Sequence, residues 1–79
     1  MYAVDNVKKF VDDHASELGE RGPKALARAE LVAENGMFSG GIIGEVMGND
    51  PDLTARFESE ANSNPEHIRI GHEALVARR

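Results

Sequence analysis

The sequence predicts an all-α protein, a compact bundle of four to five short helices that forms a single domain over residues 1–79. Apolar residues recur at spacings of three and four, which places them on one face of a helix. Each of the three prolines follows a residue that is acceptable as an N-cap, which is typical of a helix start. No segment shows the two-residue alternation with β-branched enrichment that a strand needs.

The first helix is predicted from about Ala3 to Leu18, and Gly19 follows it as a natural left-handed terminator. One face of this helix carries residues at helical spacing: Val4, Val7, Val11, His14 and Leu18. Phe10 lies beside that face. The pattern indicates a helix packed on one side against the rest of the bundle.

The second helix is predicted over Pro23–Glu34 and ends at Asn35-Gly36. Its inward residues are expected to be Leu26, Ala29, Val32 and Ala33. A shorter third helix is predicted over Phe38–Met47, with Gly48 as its end.

The fourth helix is predicted over Pro51–Ala61 and the fifth from Pro65 to about Ala77. The inward stripe of the fourth consists of Leu53, Phe57 and Ala61, and that of the fifth of Ile68, Gly71, His72 and Leu75. The linkers between helices are short, as expected for antiparallel neighbours in a bundle.

Composition excludes several classes of protein. The chain has no cysteine, so disulfide scaffolds, thiolate zinc sites and cysteine nucleophiles are ruled out. No apolar run approaches the roughly 20 residues that a membrane span requires. The first ten residues include Asp5, Lys8 and Lys9 and no hydrophobic segment of signal-peptide type, which favours a cytoplasmic location.

Glycines are concentrated between Gly36 and Gly48. Within a helix, Gly40, Gly44 and Gly48 would form a smooth stripe that allows a second backbone to approach closely. Ile43 and Met47 would flank this stripe. The stripe predicts a contact surface for another helix, either of this chain or of a second copy in a homodimer. In the alternative interpretation, Gly40-Gly41 is a flexible loop and Gly48 only a C-cap.

Residues 33–37 and the following segment Ser39–Met47 resemble a helix-turn-helix pattern. In that family the second helix reads base edges with Arg, Lys, Asn or Gln. None of these residue types occurs between Ser39 and Met47. The acidic balance also disfavours phosphate contacts. We therefore expect no direct nucleic-acid binding, and a transcriptional regulator or antitoxin subunit derived from this fold is an alternative.

The histidines do not form a catalytic or metal motif. His72-Glu73 begins like a zinc-protease helix, but Val76 stands where the second histidine is required. His67 and His72 are five apart and point in different directions on a helix. His14 lies on an apolar face and is expected to be a semi-buried core residue. The sequence thus predicts a protein that is not an enzyme, binds no cofactor and holds no metal.

The net charge is −5, and the acidic residues are concentrated in two groups. The first group consists of Asp12, Asp13, Glu17 and Glu20, and the second of Asp50, Asp52, Glu58 and Glu60. An acidic helical surface suits a partner protein with a basic surface, because complementary charge speeds and orients docking. Both groups are predicted to bind such a partner. The alternative is that the charge serves only solubility.

In overall character the chain resembles the small phage-encoded proteins that disable bacterial CRISPR–Cas complexes. The resemblance lies in its short length, single acidic domain and lack of a cofactor or catalytic motif. It implies a protein–protein inhibitor that binds a Cas complex in the bacterial cytoplasm and blocks DNA engagement. A third alternative is a plain dimeric accessory protein whose glycine stripe forms the dimer interface.

Overall fold

The helical segments of the sequence form a bundle that is closed at one end by a short sheet. The structure is a computed structural model and describes residues 1–77. In that part of the chain the elements are β1 (Tyr2–Ala3), α1 (Val4–Asp13), α2 (Ala15–Leu18), α3 (Arg21–Val32), β2 (Met37–Phe38), a 3-10 helix (Gly40–Ile42), α4 (Ile43–Val46), α5 (Pro51–Ser63) and α6 (Pro65–Ala77). The prediction of a mostly helical fold is confirmed.

The prediction of a strictly all-α fold is wrong, because two short strands pair. Strands β1 and β2 are antiparallel, with Tyr2 opposite Phe38 and Ala3 opposite Met37. The amide of Val4 also donates to the carbonyl of Gly36 at 2.9 Å. A pair of two-residue strands distant in sequence has no alternation for a local pattern to detect.

The single first helix of the prediction is divided at His14. Helix α1 ends at Asp13, His14 adopts φ −121° and ψ 24°, and α2 then adds one turn up to Leu18. The His14 ring lies against α5, where its Nε2 is 2.7 Å from the Glu60 carboxylate. Gly19 ends α2 with φ 56° and ψ −131°, a backbone conformation that favours glycine but differs from the predicted left-handed helical terminator.

Helix α3 begins at Arg21, so Pro23 lies in its first turn instead of starting it. This position is tolerated because the first amides of a helix have no intrahelical acceptor. The buried side of α3 consists of the small residues Gly22, Ala25 and Ala29. The predicted inward position of Val32 is wrong, since this residue is 41% exposed.

The predicted third helix over Phe38–Met47 is wrong in its first half. Phe38 pairs in the sheet, and the Ser39 hydroxyl then accepts a hydrogen bond from the Gly41 amide at 3.1 Å to start the 3-10 helix. Only one turn of α-helix, α4, follows. The segment Ser39–Met47 therefore lacks the continuous second helix that a helix-turn-helix motif requires.

Helices α5 and α6 start at Pro51 and Pro65, as predicted. The Asp50 carboxylate caps α5 by accepting from the Leu53 amide at 3.1 Å. The Leu53 and Phe57 side chains are buried, as the predicted stripe of α5 requires.

The predicted inward stripe of α6 is wrong except at Gly71, which is half-buried and where a Cβ would lie 3.3 Å from Asn6 Oδ1. Helix α6 buries His67, whereas Ile68 and Leu75 are 50% and 40% exposed. His72 is exposed as well. The buried side of the helix is shifted by one residue relative to the prediction, and His67 on that side is hydrogen-bonded to Asn6.

The buried apolar side chains form one cluster in which α1 packs against α3, α5 and α6. Its largest fully buried members are Phe10, Phe57 and Met47. The Phe57 ring is 5.5 Å from that of Phe10 and 5.1 Å from that of Tyr2, both in edge-on geometry. The core therefore fixes β1, α1 and α5 to one another, and with them the surface described next.

Candidate functional site

The first acidic group lies along an exposed edge at the end of α1, through α2 and into the turn before α3. All four carboxylates are exposed. Asp13 accepts a hydrogen bond from the Lys9 ammonium at 2.8 Å, which lowers the pKa of that carboxyl below its usual value. Glu20 lies 4.0 Å from Lys24. Asp12 forms no ion pair among residues 1–77. The edge therefore keeps negative charge at neutral pH.

The second acidic group is divided by the fold. Asp50 caps α5 with one oxygen and lies 3.2 Å from Arg21 Nη1 with the other. Glu60 turns inward to the histidines and is half-buried. Asp52 is exposed in the first turn of α5. Glu58 lies two residues from Arg56 and so points to the other side of the helix. Only part of this predicted group can reach a partner together with the first group.

Two arginines join the acidic groups. Arg56 of α5 donates to both carboxylate oxygens of Glu17, at 2.7 and 2.8 Å. This pairing lowers the pKa of the Glu17 carboxyl. Arg21 at the start of α3 reaches Asp50. These pairs connect Glu17 and Asp50 to neighbouring helices. We call the carboxylates of Asp12, Asp13, Glu17, Glu20, Asp50 and Asp52 the acidic face, of which Asp12 and Asp13 also line a depression beside Glu66 and Arg69 of α6.

Sequence reasoning did not predict these cross-links. A spacing of four along a helix favours ion pairs such as Arg69–Glu73, which is present at 2.9 Å. The same spacing would pair Arg56 with Asp52 or Glu60 of α5, whereas the observed partner is Glu17 of α2. Which residue becomes the partner depends on how the helices pack, and the spacing of residues along the sequence does not determine that packing.

A buried polar cluster lies between α1, α5 and α6. The Asn6 Oδ1 accepts from the Ala3 amide at 3.3 Å, so its Nδ2 faces His67 as a donor. That Nδ2 donates to the His67 carbonyl at 2.9 Å and to its Nδ1 at 3.1 Å. A ring that accepts at Nδ1 carries its proton on Nε2. This Nε2 has no hydrogen-bond partner among residues 1–77 and lies 3.5 Å from Glu60 Oε2.

Because Asn6 and His67 are buried, this cluster contributes to the packing of the fold and is closed to a partner. The desolvation of His67 lowers the pKa of the imidazole, which favours the neutral ring. The cluster was not predicted from the sequence, because Asn6 and His67 sit beside the apolar positions of their helices. The one sequence signal was that Asn6 follows Ala3 at the spacing of a capping residue.

The predicted glycine stripe does not form a continuous ridge. Gly40 lies in the 3-10 helix, Gly44 in α4 and Gly48 beyond it with φ 71°. A Cβ on Gly40 would lie 3.5 Å from the Tyr2 ring, and one on Gly48 would lie 3.0 Å from the Arg28 guanidinium. A Cβ on Gly44 would meet open space. The three glycines therefore have three different surroundings.

Ile43 and Met47, which were predicted to flank the stripe, are buried in the core of the same chain. Met47 is among the largest fully buried side chains. Their contacts are therefore with helices of this chain. The homodimer form would require their exposure.

The chain matches no protein-family model, no curated protein and no solved structure. Function is therefore inferred from surface chemistry alone. Within residues 1–77, no group of three or more His, Asp or Glu side chains could hold a metal ion. None of the helices in that range is both long and apolar enough to cross a bilayer.

Proposed function

We propose that this protein is a non-enzymatic inhibitor or regulator that binds a basic surface of another protein through its acidic face. The observation that best supports this proposal is the joining of the two acidic groups by Arg21 and Arg56. These pairs hold Glu17 of α2 against α5 and Asp50 against the start of α3. A surface of this kind offers a partner several carboxylates in a fixed arrangement.

The ion pairs within the acidic face determine which of its carboxylates attract a basic partner most strongly. Glu17 and Asp50 are partly neutralised by their arginines, whereas Asp12 and Asp52 lie outside every ion pair among the described residues. Attraction between exposed charges is screened over about 8 Å at physiological salt. Association with a basic partner is therefore expected to weaken steeply as salt is added.

In its most concrete form, the proposal is that of an anti-CRISPR protein. The partner is then a Cas complex in the bacterial cytoplasm, whose nucleic-acid channel is positively charged. By covering part of that channel, the acidic face would block DNA engagement. The inhibitor would transform no molecule and need no cofactor.

The decisive experiment compares two charge-reversed variants with the same change in net charge. Asp12→Lys/Glu20→Lys alters the acidic face, whereas Glu30→Lys/Glu58→Lys alters carboxylates elsewhere on α3 and α5. Their association with purified Cas complexes of the host is measured by surface plasmon resonance at low and physiological salt. We expect the first variant to associate about tenfold more slowly or worse, and the second to resemble the parent.

Two outcomes would contradict the proposal. If the parent binds no Cas complex and does not reduce DNA binding by any of them, the anti-CRISPR form is excluded. If both variants lose association equally, the effect belongs to net charge and not to the acidic face.

A further inference from the structure

The C-terminal part of helix α3 exposes large apolar side chains. The buried side of α3 consists of the small residues Gly22, Ala25 and Ala29, which allow close packing against α1. Leu26 is half-buried against the core, but at the end of the helix Leu31 is 85% exposed and Val32 is 41% exposed. Single apolar residues on a surface are ordinary, but a cluster of them indicates a contact site.

The exposed side chains of α3 continue onto α4 and its preceding turn. Leu31, Val32 and Ile42 line one shallow depression together with Val46. Val32 and Ile42 also line an adjoining depression beside Met1. We call this surface, formed by Leu31, Val32, Ile42 and Met1, the apolar patch. It lies on a different part of α3 from Arg21, which belongs to the acidic face.

The border of the apolar patch is acidic. Glu30 lies beside Leu31 in a depression on α3, Glu45 lines the depression between α3 and α4, and Glu34 lines the one beside Met1. All three glutamates are exposed. Arg28 is the one cationic side chain that lines these depressions among the described residues, and its Nε donates to the Val46 carbonyl at 2.9 Å. Negative charge therefore predominates around an apolar centre.

We propose that the apolar patch docks an amphipathic helix of a partner protein whose apolar side is bordered by lysine or arginine. The apolar residues of such a helix would cover Leu31 and Val32, and its basic residues would face Glu30, Glu34 and Glu45. A second copy of this chain fits less well, because a two-fold contact would bring the same glutamates against one another. The inference uses a separate surface and does not depend on the acidic face.

The experiment uses a synthetic helix of about 14 residues, about 21 Å long, with leucine on one side and lysine along both borders. Binding to the ¹⁵N-labelled protein is followed by NMR titration. One control peptide replaces the lysines by glutamate, and another keeps the lysines but replaces the leucines by glutamine. We expect the first peptide alone to bind, with the largest shifts at Leu31, Val32 and Ile42.

Two matched substitutions test the surface. Leu31→Gln is expected to weaken the peptide about tenfold or more, because the leucine side chain would be covered in the complex. Leu75→Gln removes an exposed leucine from α6, outside the apolar patch. Two glutamates of α6, Glu66 and Glu73, are already paired with Arg69 and so offer a lysine peptide less free charge. This control is expected to bind as the parent does, and so is Asp12→Lys/Glu20→Lys.

Three results would overturn the inference. The first is equal binding of the glutamate peptide, and the second is an unchanged affinity of Leu31→Gln. The third is a dimer of the free protein in sedimentation that Leu31→Gln dissociates, which would assign the apolar patch to a second copy. Loss of peptide binding in Asp12→Lys/Glu20→Lys would show that the lysines had bound the acidic face, and would also count against the apolar patch.

Discussion

The His67 side chain is fully buried, and its surroundings define its protonation state. Asn6 can only donate to the ring Nδ1, since its own oxygen is taken up by the Ala3 amide. A second ring proton would have to displace the Asn6 amide. The charged groups nearest to the ring are Glu60 from α5 and Lys9 and Asp13 from α1. Burial and Lys9 lower the pKa, and they prevail over the two carboxylates.

This environment makes stability depend on pH. Because the pKa of His67 is lower in the folded protein, the unfolded chain binds more protons as the pH falls below about 6.5. The contribution of His67 is therefore complete above that pH and is lost between that value and the lower folded pKa. Urea unfolding at pH 7.5 and 5.5 is expected to show a decrease in stability that His67→Leu reduces. His72→Gln, at an exposed histidine, should keep the parent's slope. An equal slope in His67→Leu would refute this assignment.

A change at Asn6 tests the hydrogen-bond direction. Asn6→Asp keeps an acceptor for the Ala3 amide but loses the donor to His67. We expect a loss of about 1–3 kcal/mol at pH 7.5, because the His67 carbonyl loses its donor and a carboxylate is buried beside a neutral ring. The loss should shrink at pH 5.5, where a protonated ring would also attract the new carboxylate by its charge. Denaturation at both pH values measures this, and a loss independent of pH would contradict it.

At the scale of the elements, glycine has opposite roles in two helices. Gly22 is buried where α3 crosses α1, and a Cβ there would lie 2.9 Å from Val11 Cγ1. Valine is stiff about its first torsion and cannot easily move aside. Gly44 faces open space in α4. The first glycine is required by packing, and the second is not.

Alanine substitutions should separate these two roles. Gly22→Ala is expected to destabilise the protein by about 1–3 kcal/mol through overpacking. Gly44→Ala should be neutral or stabilise it by about 0.4–1 kcal/mol, since alanine favours the helix and restricts the unfolded chain. Thermal melts followed by circular dichroism compare the two. A rise in melting temperature for Gly22→Ala would exclude the close contact with Val11.

Helix starts were predictable at Pro51 and Pro65 because proline and its capping neighbour are local signals. The β1–β2 pair and the division at His14 were not, since both depend on residues far away in sequence. The same limit applies to the candidate site. Charge alone identified Asp12 and Glu20 as exposed acids, but only the fold shows that Glu60 turns inward.

A single apolar cluster stabilises the fold of this protein. Phe57 is at its centre, with ring contacts to Tyr2, Phe10 and His67. A chain of 79 residues buries only a modest fraction of its surface, so its stability is expected near the lower end of the range for domains. One large core substitution can therefore remove most of it.

Phe57→Ala is expected to cost about 3–5 kcal/mol and to leave the chain largely unfolded at 37 °C. Phe57→Leu keeps most of the volume and should cost about 1.5 kcal/mol or less, with a cooperative melt. The dispersion of the NMR amide signals together with the melting curve distinguishes the two. A cooperative melt of Phe57→Ala within a few degrees of the parent would contradict the central position of this ring.

The packing of Tyr2 provides an optical reporter. This is the one tyrosine of a chain without tryptophan, so near-ultraviolet fluorescence excited above the phenylalanine band comes from a single known ring. That ring rests against Phe57, and its hydroxyl accepts from Asn62 of α5 at 3.2 Å. Its emission and anisotropy therefore follow the attachment of β1 to α5 without any label. In a refolding experiment, tyrosine fluorescence would report the rate at which β1 attaches to α5, while far-ultraviolet circular dichroism reports the rate at which the helices form.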